Sequence, residues 1–189
     1  MDAPSKSTTA MLLALESIFP LPGEVHGCPA TSASSQLLDP RLILLDAGCR
    51  TKPDAIELGV QLLHRADRTR QPRELAHSLW QREASSPTSV GFGCAMPHCK
   101  SSAALVNSLV ILKPRIPLDW AAPDHPPVTL IFLIAVQAAT RANAHLQMLA
   151  HLARKMLDGD FRDHVGRQTN SAALCAFLEI SLTTAGRII

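Results

Sequence analysis

The sequence predicts an α/β fold, a single domain with a central mixed sheet flanked by helices on both faces. Three observations carry this. Short apolar runs of strand length alternate with stretches of helical period. Two of the runs, Leu105–Leu112 and Val128–Val136, are apolar nearly throughout, as interior strands covered on both faces must be. And the 189 residues, 47% hydrophobic and 18% charged, supply one core plus an appendage, with no second core pattern and no internal repeat.

Residues 1–38 are set apart by composition. Pro4, Pro20, Pro22 and Pro29 lie among many Ser, Thr and Ala around one apolar patch, Met11–Phe19. This reads as a flexible N-terminal extension, with the folded domain at 39–182. Ala10–Leu15 follows Lys6, but Glu16 ends that run too early for a secretory signal.

Leu42–Leu45 reads as a strand. Lys52–Ala66 follows as a helix, with Pro53 in its first turn and Ala55, Leu58, Leu62 and Leu63 near helical spacing. Pro72–Glu83 is a second helix with Leu75, Leu79 and Trp80 on its apolar face. A loop at Ser86–Ser89 leads into a strand at Gly91–Met96, and Leu105–Leu112 and Val128–Val136 are the interior strands. Asn143–Leu157 is helical in period, with Asn143 as N-cap, and shorter helices are expected at Phe161–Arg167 and Ser171–Leu182. Strand order stays open.

Composition excludes several classes. Net charge is +2, with eight histidines, and Lys and Arg form no stripe, so nucleic-acid binding has no electrostatic footprint. Val128–Val136 is far too short to span a bilayer, so no membrane insertion is expected. Five cysteines, an odd number, fit free thiols in a reducing cytoplasm, the expected location.

The chemistry is expected at Gly91-Phe92-Gly93-Cys94-Ala95-Met96-Pro97-His98. Gly91 and Gly93 let an anionic group approach the backbone closely. Pro97 ends a strand and aims His98 outward. An imidazole there is unprotonated near neutral pH and can act as a nucleophile. His145 begins a helix, where free N–H groups attract anions. Arg82 ends a helix, close enough in sequence to clamp phosphate oxygens if the next loop folds back, and Thr88 in that loop can donate a hydroxyl. Each of these also has a plain reading, as a turn histidine, a capping-region histidine, a dipole partner and a turn threonine. A zinc site from Cys94, His98, Cys99 and His145 is a rival, but the spacing is wrong for a knuckle.

Taken together, these residues resemble the enzyme IIA family of the bacterial phosphotransferase system, fructose/mannitol type, and most nearly its nitrogen-regulatory branch. The likeness rests on Arg82-Glu83, Thr88, the Gly91–His98 block and Cys99-Lys100. It continues through Pro117-Leu118-Asp119-Trp120, Ala122-Pro123-Asp124, His145-Leu146-Gln147-Met148-Leu149-Ala150, and Leu157-Asp158 with Phe161. It covers roughly 38–180. Two departures stand out: Ser89 and His125 replace glycines of the family pattern.

The resemblance implies that His98 accepts a phosphoryl group, as tele-phosphohistidine, from a histidine-phosphorylated carrier protein. It also implies that His145 and Arg82 assist, that Thr88, Gly91 and Gly93 line the phosphate, and that no metal or other cofactor takes part. Signalling by contact with regulatory targets such as kinases or transporters is the expected output. Relay to a fructose/mannitol-type permease is the alternative.

Overall fold

The central strand of the sheet is β6, Leu130–Gln137, which is paired on both edges. The computed structural model describes residues 37–122, 125–140, 150 and 152–183. After a 3-10 turn at Pro40–Leu42, the chain forms β1 (Ile43–Ala47), α1 (Lys52–Arg65) and α2 (Pro72–Ser85). Three short strands follow, β2 (Ser89–Gly91), β3 (Cys94–Ala95) and β4 (His98–Ser101), and then β5 (Ser108–Pro114) and β6. Helices α3 (Gly159–Arg167) and α4 (Ser171–Thr183) close the domain.

The strand order is β1-β5-β6-β3-β2, with β4 also on β6. β5 runs antiparallel to β6, whereas β1 is parallel to β5, and β3 and β4 are parallel to β6. The sheet is therefore mixed, as expected. β3 and β4 lie end to end along one edge of β6, from Cys94↔Leu130 to Ser101↔Gln137. Between them Pro97 donates nothing, yet its carbonyl accepts from Ile134 N at 2.9 Å, so the ladder resumes at His98.

Alternation along the strands sorts side chains into two cores. Val110, Leu112, Ile131, Leu133 and Ala135 face α1 and α2, whose Ile56, Val60, Leu63, Leu75 and Leu79 pack against them. Leu109, Ile111, Leu130, Phe132 and Ile134 face the other way, onto Phe161, Val165, Leu174 and Leu178 of α3 and α4. Each fully buried Leu, Ile or Phe contributes about 2 kcal/mol, so helices on both faces are a requirement of the sequence. Leu37 and Leu38, which composition put in the extension, are buried in the second core, so the packed domain begins by Leu37. Residues 1–36 lie outside the described residues.

The helix boundaries follow from local chemistry. Thr51 caps α1 by accepting from Asp54 N at 3.2 Å, while Asp54 accepts from Thr51 N at 3.1 Å. This reciprocal box is worth about 1 kcal/mol, and it fixes Lys52 as the first helical residue. Pro72 starts α2, where a missing N–H costs nothing.

One expected element is corrected. Gly91–Met96 is not one strand but a tight hairpin, β2 turning into β3 at Phe92-Gly93. Phe92 (φ 54°) and Gly93 (φ 71°) are both left-handed, as a two-residue type I′ turn requires. A Cβ on Gly93 would also sit 3.1 Å from Thr129 Oγ1. The interior strands start later than the hydropathy suggests, at Ser108 and Leu130. Val128 instead forms an isolated bridge with Leu118. Of the expected helix Asn143–Leu157, residues 143–149 lie outside the described residues, and 152–155 are helical.

Two glycine substitutions separate helix propensity from packing. Gly166 in α3 has open space where a Cβ would go, so Gly166→Ala should stabilise by about 0.5–1 kcal/mol. A Cβ on Gly59 in α1 would meet Leu133 Cδ1 at 2.6 Å inside the first core. Overpacking of about 1–3 kcal/mol should cancel or outweigh the same propensity gain in Gly59→Ala. Thermal unfolding of the two variants checks the difference in sign.

Candidate phosphohistidine site

α2 lies along β4, and residues one turn apart on the helix meet the two ends of the strand. Ser78 Oγ is 3.0 Å from Ser101 Oγ. Four residues on, Arg82 Nε donates to His98 Nε2 at 3.0 Å. Arg82 Nη1 also donates to the Ser86 carbonyl at 3.1 Å, so its guanidinium is held between the following loop and the histidine. The sequence puts Arg82 near the site only if the following loop folds back. The structure brings it there from the helix face.

His98 is half-buried, and both ring nitrogens are engaged. Nδ1 lies 2.8 Å from the Met96 carbonyl oxygen. A carbonyl can only accept, so Nδ1 carries the proton and Nε2 carries the lone pair. The Arg82 contact at Nε2 requires the same tautomer, because Arg has no acceptor. Burial pushes the His98 pKa below its ordinary 6.5. The bond to Met96 opposes that shift, the Arg82 charge adds to it, and the Glu83 charge opposes it. The neutral, nucleophilic form is therefore favoured at neutral pH.

Behind His98 lies a polar network that the sequence reading missed. Glu83, 5% exposed, follows Arg82 on α2 but turns inward. Its carboxylate accepts from Lys52 Nζ at 3.1 Å, from Thr88 N at 3.2 Å and from Thr88 Oγ1 at 2.5 Å. Lys52 also donates to the Trp120 carbonyl at 2.9 Å, and Trp120 Nε1 donates to Thr88 Oγ1 at 3.2 Å. Thr88 was expected to offer its hydroxyl to a phosphate. It is 4% exposed and that hydroxyl is spent on Glu83 and Trp120, so Thr88 shapes the site from behind. Glu83, Thr88 and Trp120 all stand in the motifs that carry the family resemblance, but their contacts with one another and with Lys52 are set by how the elements dock.

Gly91 (φ 82°) and Gly93 serve the hairpin turn, which accounts for both glycines without an anion. The two departures from the family pattern turn out to be partners, His125 Nδ1 lying 2.9 Å from Ser89 Oγ. His145 lies outside the described residues. The zinc alternative fails on geometry, since Cys94 and Cys99 are buried in the cores on opposite faces of the sheet.

The Lys52–Glu83 pair is largely removed from water, with side chains 16% and 3% exposed. Lys52→Met should leave the carboxylate short of a donor and cost about 2–3 kcal/mol. Urea unfolding of the variant checks this, and a loss below about 0.5 kcal/mol would place the pair among ordinary surface bridges.

Comparison with known proteins identifies the family. The family model of the phosphoenolpyruvate-dependent sugar phosphotransferase system, EIIA 2, matches residues 36–180. The fructose-specific EIIA component of Haloferax volcanii is 34% identical over 122 residues, 65% of this chain and 79% of that one. A multiphosphoryl transfer protein of Escherichia coli O157:H7 is 32% identical over 141 residues, 75% of this chain but only 17% of its own length. This chain thus spans about a sixth of such a relative. Among solved structures, nitrogen regulatory protein IIA-Ntr from Neisseria meningitidis superposes with TM-score 0.70 at 26% identity, covering 77% of this chain and 97% of that one. IIA mannitol from Escherichia coli, at TM-score 0.62 and 22% identity, shares the fold and covers 98% of its own chain. With a family-model match across 36–180 and the same fold, the chain belongs to the EIIA type 2 family of the phosphotransferase system.

Proposed function

We propose that His98 takes a phosphoryl group on Nε2 from a phosphohistidine of a carrier protein and that the protein signals through its phosphorylation state. The observation that carries this is the arrangement of the imidazole, with Nδ1 pinned by the Met96 carbonyl and the Nε2 lone pair directed at a guanidinium. In the transfer, the carrier's N–P bond breaks and its electron pair returns to the carrier imidazole. The new bond forms from the Nε2 lone pair. The proton stays on Nδ1, where the Met96 carbonyl supports the positive charge that the phosphorylated ring takes on. The charge spreading over the phosphoryl oxygens calls for alignment and a cation. Arg82 supplies both, exchanging its contact with Nε2 for the incoming oxygens. No metal ion is needed in this scheme.

The family likeness adds His145 as a second imidazole that orients the phosphate. Thr88 shapes the site from behind and Gly91 and Gly93 through the hairpin turn, rather than by direct contact with the phosphate. The regulatory output is favoured by the Cys99-Lys100 pair and by the likeness to IIA-Ntr. Among the described residues no helix is long and apolar enough to cross a membrane, which suits a protein working in the cytoplasm. A second reading, relay of phosphate to a sugar permease, is favoured by the fructose-specific relative. Affinity capture with phosphorylated and unphosphorylated protein separates them. Different partner sets for the two states support signalling, whereas identical sets together with transfer to a permease domain support relay.

Replacing His98 by Ala should abolish an acid-labile, alkali-stable phosphate, and label uptake at the wild-type rate would refute the assignment. Arg82→Lys should be only a partial repair relative to Arg82→Gln, since lysine keeps the charge but loses the planar fork. Equal rates for the two would show that the charge is irrelevant. Because the His98 pKa is lowered, its free base persists as pH falls through 6.5. The initial rate of acceptance should therefore hold level through that value and drop only below it. A midpoint at or above 6.5 would contradict the burial argument.

A further inference from the structure

We propose that Glu83 is a positioning residue that sets the tautomer and the aim of the His98 imidazole, an inference that rests on the reading of His98 as the phosphoryl acceptor. Glu83 touches neither His98 nor the space in front of it. Both polar contacts of His98 nevertheless lead back to it.

On the Nδ1 side the path runs through the backbone. The carboxylate accepts from Thr88 N and Oγ1 and so fixes that residue. The Thr88 carbonyl in turn accepts from Met96 N at 2.9 Å, and the Met96 carbonyl accepts from His98 Nδ1. On the Nε2 side the path is the end of α2. Arg82 precedes Glu83, and its second contact is the carbonyl of Ser86, in the loop that Glu83 holds through Thr88. A carboxylate buried this deeply is costly unless every lone pair is used. Here it is met by Lys52 and by two donors of Thr88, and no buried polar side-chain atom among the described residues lacks a partner. An apolar residue at 83 would fill the same core space. What a carboxylate adds is the simultaneous capture of an N–H and an O–H, which fixes the Thr88 carbonyl in direction as well as place. That direction decides whether Met96 presents its oxygen to Nδ1, and hence which nitrogen keeps its lone pair.

The test uses the full chain and two readouts. Long-range proton–nitrogen NMR of the unphosphorylated protein, above the His98 titration, reports the tautomer. Phosphorylation by phosphoramidate, a small N–P donor that needs no docking surface, reports the reactivity of the ring alone. The wild type should show the Nδ1–H tautomer. Glu83→Gln should add an Nε2–H population and slow phosphoramidate transfer about ten- to a hundredfold. Thr88→Val, which removes the hydroxyl at constant shape, should act in the same direction, and Thr88→Ser should restore both readouts. Val165→Ala, in the opposite core, serves as a destabilised control.

A wild-type tautomer and rate in folded Glu83→Gln would overturn the inference, as would a rate loss no larger than that of Val165→Ala. Should Glu83→Gln not fold, Thr88→Val decides alone. If the wild type takes no phosphate at His98, the acceptor reading fails, while the tautomer comparison still judges Glu83.

Discussion

β6 is the constraint on which the domain depends. It is paired along both edges and covered on both faces, so none of its residues from Leu130 to Ala135 can be polar without loss of a core contact. The antiparallel neighbour β5 extends the sheet on one side. On the other side the place of a single long strand is taken by two short ones, and the interruption at Met96-Pro97 falls where His98 begins β4. An imidazole on a free loop would be loosely held. One that opens a strand registered against Ile134 inherits the stiffness of the sheet.

The electrostatics divide the labour between front and back. In front, a guanidinium faces a neutral imidazole, a pairing that holds the ring uncharged and stands ready for an anion. Behind, a lysine pairs with a carboxylate inside the core, and at the histidine the Glu83 charge opposes that of Arg82. Trp120 completes the rear wall with its ring 5.7 Å from Lys52 Nζ and its indole N–H on Thr88. The Ser89–His125 contact joins the start of β2 to the segment leading into β6, so that the two departures from glycine are accommodated together.

Much of this was legible in the sequence because the signals are local. Pro53 and Pro72 marked the starts of α1 and α2, and nearly continuous apolar runs marked β5 and β6, since burial on both faces leaves no alternation to read. The hairpin at Phe92-Gly93 was not read from the sequence: Gly91 and Gly93 permit a turn, but Phe is an unusual residue at positive φ and the apolar run around it reads as one strand. Nor was the role of Glu83. Its partners lie 31 residues earlier and five later, and a pairing at that range depends on how α1, α2 and the loop dock. The inward direction of the Thr88 hydroxyl was hidden for the same reason: a motif gives the residue type but not the face it turns to.

The topology also dictates when the chain can settle. β1 waits for β5, which lies more than sixty residues downstream, and β3 and β4 wait for β6. Local order can form early in α1, whose capping box is self-contained, and in α2, but the sheet has no stable half before residue 137 is available. Pairings of such long sequence separation slow folding and leave strand edges open in the meantime. On a ribosome the histidine strand would thus emerge well before the partner that aligns it. Competence to receive phosphate is then among the last properties the nascent chain acquires.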